Sequence, residues 1–484
     1  MLTYSFLDLG SDSLYVHLYK CIKKDIITGH LAPGEKLPSK RSFAKNLNIS
    51  TITIENAYSQ LMAEGYIYSI PKKGYYIADI ANTLTDMPKR NMENFALASD
   101  TSAYFADFTS NQTNPDNFPF TIWTKLLREI ILDYQKELMQ NSPSGGVLEL
   151  RKAIATHLLE FRGMTVSPEQ IIIGAGTEYL YGLLIQLLGY DKCYALEDPG
   201  YQKISQIYNC NHVTCKYIPM DKDGILIEEL EQSHADIVHL SPSHHFPTGI
   251  ITPIGRRYEL LGWAARADSR YIIEDDYDSE FRLMGKPIPS LQSIDITEKV
   301  IYINTFTKSL SSTIRISYMV LPKHLINRFY NNMHFYSCTV SNFEQYTLAR
   351  FIHDGHFEKH INRMRNFYRI LRDTLLECIE KSPLASLITI TEENAGLHFL
   401  MHINTTLSDE DFLHTAEQAG IRLSCLSQYY HDSSMADDRC SHTFIINYSA
   451  IDTSSITEAV KRLCDSTLSN QKSFTSLDII KNST

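Results

Sequence analysis

Residues 271–282, YIIEDDYDSEFR, and residues 305–315, TFTKSLSSTIR, decide what most of this chain is. Each polar stretch follows an apolar run, 271–273 in the first case and 300–303 in the second. Such runs read as buried strands. Three more occur at 171–173, 193–196 and 237–240, with helical patterns between them. Strands alternating with helices describe an α/β domain, whose ligands gather beyond the carboxyl ends of its strands. The candidate chemistry lies just there. Asp275 and Tyr277 are two apart, so on extended backbone they point to one side. A carboxylate and a phenol so placed can hold a protonated aromatic nitrogen and a neighbouring phenolate oxygen. Taken alone, the segment reads equally as a solvated acidic loop. Lys308 is flanked by Thr305, Thr307 and Arg315, two hydroxyls and a guanidinium suited to a phosphate. That setting makes Lys308 a candidate Schiff-base amine, where a solitary lysine would be only a solvated side chain.

Two weaker segments follow other strands. Gly174-Ala175-Gly176-Thr177-Glu178 opens a helix after 171–173. Glycines there let backbone N–H groups approach an anion, and the helix dipole favours phosphate; a simple turn is the alternative. Glu197-Asp198-Pro199-Gly200-Tyr201 follows 193–196. Tyr201 can stack on a planar ring, or it is an ordinary loop tyrosine.

Before this domain lies a different pattern. Leu14, Leu18, Ile22 and Ile26 recur at i, i+4, so an amphipathic helix is expected over 13–29. Ser39 can cap a second helix at 40–47, and Ser50 a third at 51–64 with Ile54, Ala57, Tyr58 and Leu61 inward. Two short strands, 66–70 and 75–78, flank the turn Pro71-Lys72-Lys73-Gly74. Three helices and a wing form a DNA-reading layout in which the third helix enters the major groove. Ser39, Lys40 and Arg41 stand at one helix N-terminus. Thr51, Thr53 and Asn56 are short polar residues expected on the exposed face of the third helix, and Lys72 and Lys73 sit at the wing tip. A plain three-helix bundle is the alternative.

The charge distribution agrees with a DNA-binding head. The whole chain of 484 residues carries −11, yet residues 20–78 hold nine Lys/Arg against four Asp/Glu. That span is +5, which leaves −16 for the remainder. Hydrophobic residues make up 43% and charged residues 21%, a composition typical of globular domains, and the length calls for more than one of them. There is no apolar run of membrane-spanning length, and residues 1–13 lack the pattern of a secretory signal. Nine scattered cysteines with no C-x-x-C pair indicate reduced thiols rather than disulfides or zinc. A cytoplasmic protein without metal or membrane contact is expected.

The stretch LAPGEKLPSKRSFAKNLNISTITIENAYSQLMAEG (31–65) is similar to the GntR family of bacterial regulators. FPFTIW (118–123), SPSGGVLELRKAIATHL (142–158), EDPGY, PSHHFPTG, EDDYDSEFR and TFTKSLSSTIRISYMVLP together resemble the fold-type-I aminotransferases over roughly 104–465. The whole chain therefore resembles the MocR/GabR-type regulators. That resemblance implies a multidomain protein: a winged helix-turn-helix head at 1–78, a linker at 79–103, and an α/β pyridoxal-phosphate-dependent transferase fold at 104–465. The large part of that fold would span about 140–325, the small α+β part about 326–465, and a polar tail 466–484. It also implies a head-to-tail homodimer that binds double-stranded operator DNA, pyridoxal 5'-phosphate, and a small amine or amino-acid effector. Lys308 would be the Schiff-base residue, Asp275 the ring-nitrogen partner, Tyr277 the phenolate partner and Tyr201 the stacking ring. Gly176, Thr177, Glu178, Thr305, Thr307 and Arg315 would hold the phosphate.

Three departures from the family patterns matter. Thr51 stands where GntR heads usually carry arginine. His244-His245-Phe246-Pro247-Thr248-Gly249 replaces Asn-Pro-Thr-Gly, which leaves His244 as the candidate for the missing Asn. The strand HTFIINYS (442–449) has Ile445 where aminotransferases carry the arginine that grips the substrate carboxylate. Arg439 and Arg422 are near in sequence but do not align. A ligand-responsive regulator is the expected function. The alternatives are an aminotransferase with an appended DNA-binding domain, or a sensor of the coenzyme alone.

Overall fold

The computed structural model describes residues 2–6, 12–79, 104–110, 112–283, 288–394, 396–432 and 441–467. The chain divides into two compact units, within 1–100 and 101–484. The expected linker, apart from Asp79, lies outside the described residues. So does the expected tail beyond 467; residues 466 and 467 close a helix that begins at 456.

The first unit holds α1 (Leu14–Ile27), α2 (Lys40–Leu47), α3 (Thr51–Ala63), β1 (Ile67–Ile70) and β2 (Gly74–Ile77). Each sequence boundary falls within two residues of these. The caps explain why: Ser39 accepts from Ser42 N–H and Ser50 from Thr53 N–H, satisfying donors that a helix start leaves bare. Leu18, Ile22 and Ile26 of α1 pack with Phe43, Ile54, Tyr58 and Leu61. Leu14, the first position of the expected stripe, is instead 40% exposed, because α1 begins there and its first turn projects past the core. β1 and β2 pair antiparallel, Ile70 opposite Gly74, leaving Pro71, Lys72 and Lys73 as the wing tip.

The second unit contains β3 (Ala106–Asp107), β4 (Ile171–Gly174), β5 (Cys193–Asp198), β6 (Thr214–Asp221), β7 (Gly224–Ile225), β8 (Ile237–Leu240), β9 (Tyr271–Asp275), β10 (Val300–Thr305), β11 (Ser317–Val320), β12 (Ile388–Thr391), β13 (His398–Ile403), β14 (Ile421–Arg422), β15 (Ser424–Cys425) and β16 (Thr443–Asn447). The central sheet has eight strands in the order β4-β11-β10-β9-β8-β5-β6-β7. β10, β9, β8, β5 and β6 run parallel, while β11 is antiparallel to both β10 and β4. The five apolar runs seen in the sequence are β4, β5, β8, β9 and β10. All lie within the sheet and are almost wholly buried, so they read as unbroken apolar stretches. A four-stranded antiparallel sheet, β12-β13-β16-β15, forms the carboxyl-terminal part. The carboxyl ends of β4, β5, β8, β9 and β10 open on one side, which positions the site.

Candidate functional site

A cavity of about 690 Å³ opens beyond those strand ends. Gly176, Thr177 and Glu178 after β4, Tyr201 after β5, Asp275 and Tyr277 at β9, and Thr305, Thr307, Lys308 and Arg315 after β10 all line it. The structure thus brings together ten of the eleven residues expected there. His244 is the exception, and the structure puts His245 on the cavity wall in its place. His244 is buried, with Nδ1 2.8 Å from Asp278 and its ring 4.5 Å from His398. It also lies over Gly396, where a Cβ would approach its ring to 1.9 Å. It reaches the site only indirectly, 3.3 Å from the Tyr277 hydroxyl.

At one end of the cavity is a cradle formed by Gly176, Glu178 and Arg315. Gly176 precedes the helix Thr177–Leu188 at φ +95°, a conformation glycine tolerates and other residues resist. A Cβ there would also lie 2.6 Å from Arg315 Nη2, so the glycine is needed twice over. Arg315 is held by Glu178 at 2.9 Å, and Glu178 also pairs with Lys203. The Thr305 hydroxyl lies 2.8 Å from that of Thr307 and accepts from Ser317 Oγ at 2.8 Å.

At the other end stands Asp275, 6% exposed. Its Oδ2 accepts from Tyr181 Oη and lies 3.6 Å from His239 Nε2, whose Nδ1 meets Tyr208 Oη at 2.8 Å. Its Oδ1 is buried with no hydrogen-bond partner. A buried carboxylate oxygen without a donor is costly, so Oδ1 could take a donor from a ligand in the cavity. Tyr181 and His239 were not picked out from sequence, although two signals existed. Tyr181 lies one helical turn after Thr177, and His239 is the polar break in the apolar strand Ile237–Leu240.

Lys308 is buried on the wall, and burial, opposed by the Asp278 charge, drops its pKa from 10.5 to about 7. A lysine near pKa 7 is uncharged, and so nucleophilic, in a large fraction of molecules at neutral pH. The folded chain therefore binds fewer protons at Lys308 than the unfolded chain between about pH 7 and 10.5. On this account the ligand-free protein gains stability as pH rises through that window. Lys308→Met should be the more stable protein at pH 7, by roughly a few kcal/mol, and the difference should shrink towards pH 10.5. Urea midpoints of both proteins across that range give the check; a pH-independent difference would contradict the burial argument. Burial also raises Glu197 to about 8 and lowers His245 to about 3. These neighbours, 3.5 Å apart, are therefore uncharged at neutral pH. Tyr201, 42% exposed, meets Phe246 edge-on at 5.6 Å.

Ile445 is 1% exposed and paired inside the small sheet with Leu400 and Ser424, and it is not among the residues lining the cavity. Arg439 lies outside the described residues. Arg422 does line the cavity, 3.7 Å from Asp107 and 5.3 Å from the Tyr104 ring.

In the head, Ser39, Arg41, Ser50, Thr51, Asn56, Lys72 and Lys73 are exposed. Thr53 is half-buried, with its hydroxyl 2.8 Å from Ser50 Oγ beside the α3 cap. Lys40 is held by Glu55 of α3 at 2.6 Å and lies over the Tyr75 ring. Arg41, Lys72 and Lys73 form no ion pair among the described residues.

A winged helix-turn-helix head and an aminotransferase-fold body define a transcriptional regulator built on an enzyme scaffold. Residues 14–77 match the family described as "Bacterial regulatory proteins, gntR family". The chain is 37% identical to the HTH-type transcriptional regulator YdeL of Bacillus subtilis (strain 168), over 93% of this chain and 96% of that protein. It is 29% identical to the probable rhizopine catabolism regulatory protein MocR of Rhizobium meliloti, over 94% of each. The kynurenine aminotransferase structure of Pyrococcus horikoshii superposes with a TM-score of 0.66 at 25% identity, covering 76% of this chain and 92% of that one. The chain belongs to the MocR type of GntR-family regulators, in which a DNA-binding head is fused to an aminotransferase-like domain. No helix among the described residues is long and apolar enough to cross a membrane.

Proposed function

We propose that this regulator binds pyridoxal 5'-phosphate in the cavity, and that the coenzyme, alone or with a small amine or amino acid, sets the affinity of its heads for operator DNA. The observation that carries this is the bare Oδ1 of Asp275 sharing one cavity with the near-neutral Lys308 and the Gly176–Arg315 cradle. The three fit the three ends of that coenzyme: ring nitrogen, aldehyde and phosphate. The structure of the Pyrococcus horikoshii enzyme is described as a complex with PMP. Bound coenzyme supplies an aldehyde that condenses reversibly with amines and a ring that withdraws electrons. Asp275, braced by Tyr181 and His239, holds a proton on the ring nitrogen. The Tyr277 hydroxyl, which burial keeps protonated, donates toward the ring oxygen. Lys308 presents an amine that burial makes easy to deprotonate, and Tyr201, on the cavity wall, would stack on the ring. A head-to-tail homodimer would set two heads on a two-part operator. Absorbance titration with the coenzyme, followed by duplex binding with and without it, tests the reading.

Regulation rather than turnover follows from Ile445. An α-carboxylate leaving water needs a bidentate cation to offset its desolvation. A buried isoleucine supplies none, and Arg422 is engaged by Asp107. Common α-amino acids are therefore expected to convert the coenzyme to its amine form negligibly in single-turnover spectroscopy. Rapid conversion would contradict this. If Arg422→Ala then abolished it, the carboxylate site would have moved to β14.

A further inference from the structure

The outward stripe of α3 has an unusual vocabulary. Ile54, Ala57, Tyr58 and Leu61 are buried, so Ile52, Glu55, Asn56 and Ser59 form the opposite face at i, i+3, i+4, i+7, and all four are exposed. Ile52 is 69% exposed, a large β-branched side chain held in water on an otherwise polar face. Its neighbours show that it is not part of the core: the head cluster closes without it. Single exposed apolar residues are common, but this one sits on the helix that a winged head lays in the major groove.

The rest of the stripe narrows what it can read. Thr51–Ala63 contains no lysine or arginine, so α3 has no donor pair for guanine O6 and N7. Glu55 is the only charge on the stripe, and Lys40 holds it at 2.6 Å, away from the role of cytosine acceptor. What remains is an aliphatic side chain, an amide and the Ser59 hydroxyl, which suits any base and so selects none. Aliphatic groups pack on the thymine methyl, and Asn pairs with adenine N6 and N7. The cations that hold phosphate, Arg41, Lys72 and Lys73, all lie off α3, so positioning and base reading are carried by separate elements.

We propose that Ile52 reads the C5-methyl group of a thymine in each half-site, with Asn56, one turn further along the stripe, against an adenine. The half-site is then centred on A·T pairs. This rests on the DNA-binding assignment of the family. Ile52 plays no part in the core, so Ile52→Ala leaves the fold intact, which an unchanged melting temperature verifies.

The experiment selects bound duplexes from a random pool with the full-length chain, then replaces each selected thymine by deoxyuridine in turn. That substitution removes one methyl group and leaves every hydrogen bond. One thymine per half-site should weaken binding about fourfold when its methyl is removed. Ile52→Ala should lose a similar factor on the thymine duplex and nothing further on the deoxyuridine duplex, since the pair is one interaction. Equal binding of thymine and deoxyuridine duplexes at every position, or selected half-sites centred on G·C pairs, would overturn the proposal and leave the regulator assignment standing. Failure to select any duplex would overturn both.

Discussion

Lys308→Ala, reconstituted with pyridoxal 5'-phosphate and treated with borohydride, should carry no covalent coenzyme, while the parent chain carries one per subunit. The expected effect is total because, among the described residues, no other lysine shares the wall with Asp275 and Tyr277; Lys203, the other described lysine at the cavity, is paired with Glu178 at the cradle end. The visible absorbance of the protein-bound coenzyme should vanish or revert to that of reversibly held aldehyde. The variant should stay folded. Asp275→Asn provides the companion test. It keeps the shape but removes the anion that faces the ring nitrogen, and a charge-assisted bond of this kind contributes about 1.5–3 kcal/mol. Coenzyme affinity should fall at least tenfold. A borohydride-stable adduct that persists in Lys308→Ala would place the reactive amine elsewhere.

The second large effect concerns DNA. Removing residues 1–79 should abolish specific duplex binding, because the second unit carries the acidic balance of the chain and lacks the helix-turn-helix. Binding by the full chain should weaken steeply with salt as counterions are released. Arg41→Ala should reduce the slope of log affinity against log salt by about 1, as one phosphate contact is lost. Lys40→Ala should act differently. Its ammonium is tied to Glu55, so its loss frees a carboxylate on the outward stripe of α3. The expected result is a broad loss of affinity through repulsion of phosphate. Retained operator affinity after removal of the head would contradict the domain reading.

The head was legible almost residue by residue because its signals are local. Ser39 and Ser50 announce helix starts, and the apolar spacing of α1 and α3 identifies their inner faces. The contact of Thr53 with Ser50 was not legible, because a threonine three residues after a capping serine serves the cap as readily as solvent, and sequence spacing does not separate the two. In the larger unit, β4, β5, β8, β9 and β10 were visible because strands buried on both faces are unbroken apolar runs. β6, TCKYIPMD, alternates and contains a proline, so it passed unread; it lies next to β7 near the sheet edge, where one side meets water. β11 escaped because it follows the phosphate segment at once and pairs antiparallel across to β4, a long-range contact with no local signature.

The same logic applies to the candidate site. Residues at strand ends, such as Asp275 and Thr305, could be placed because the α/β rule says where strand ends gather. The choice between His244 and His245 could not, because two adjacent residues in an irregular turn point apart for reasons set by Asp278 and Gly396, 34 and 152 positions further along the chain. Tyr181, His239 and Glu197 also line the cavity. The contacts of Tyr181 and His239 with Asp275 depend on packing between elements and not on any motif.

The central claim is that the cavity and the heads are coupled. The direct measurement is equilibrium binding of a selected duplex by the full-length chain without coenzyme, with pyridoxal 5'-phosphate, and with coenzyme plus a panel of amines and amino acids. Lys308→Ala is run under the same conditions. Two-state coupling predicts an affinity change of roughly 5–150-fold in at least one of these conditions, and its loss or strong reduction in Lys308→Ala. Identical duplex affinity under every condition, with the parent protein demonstrably loaded with coenzyme, would contradict the account.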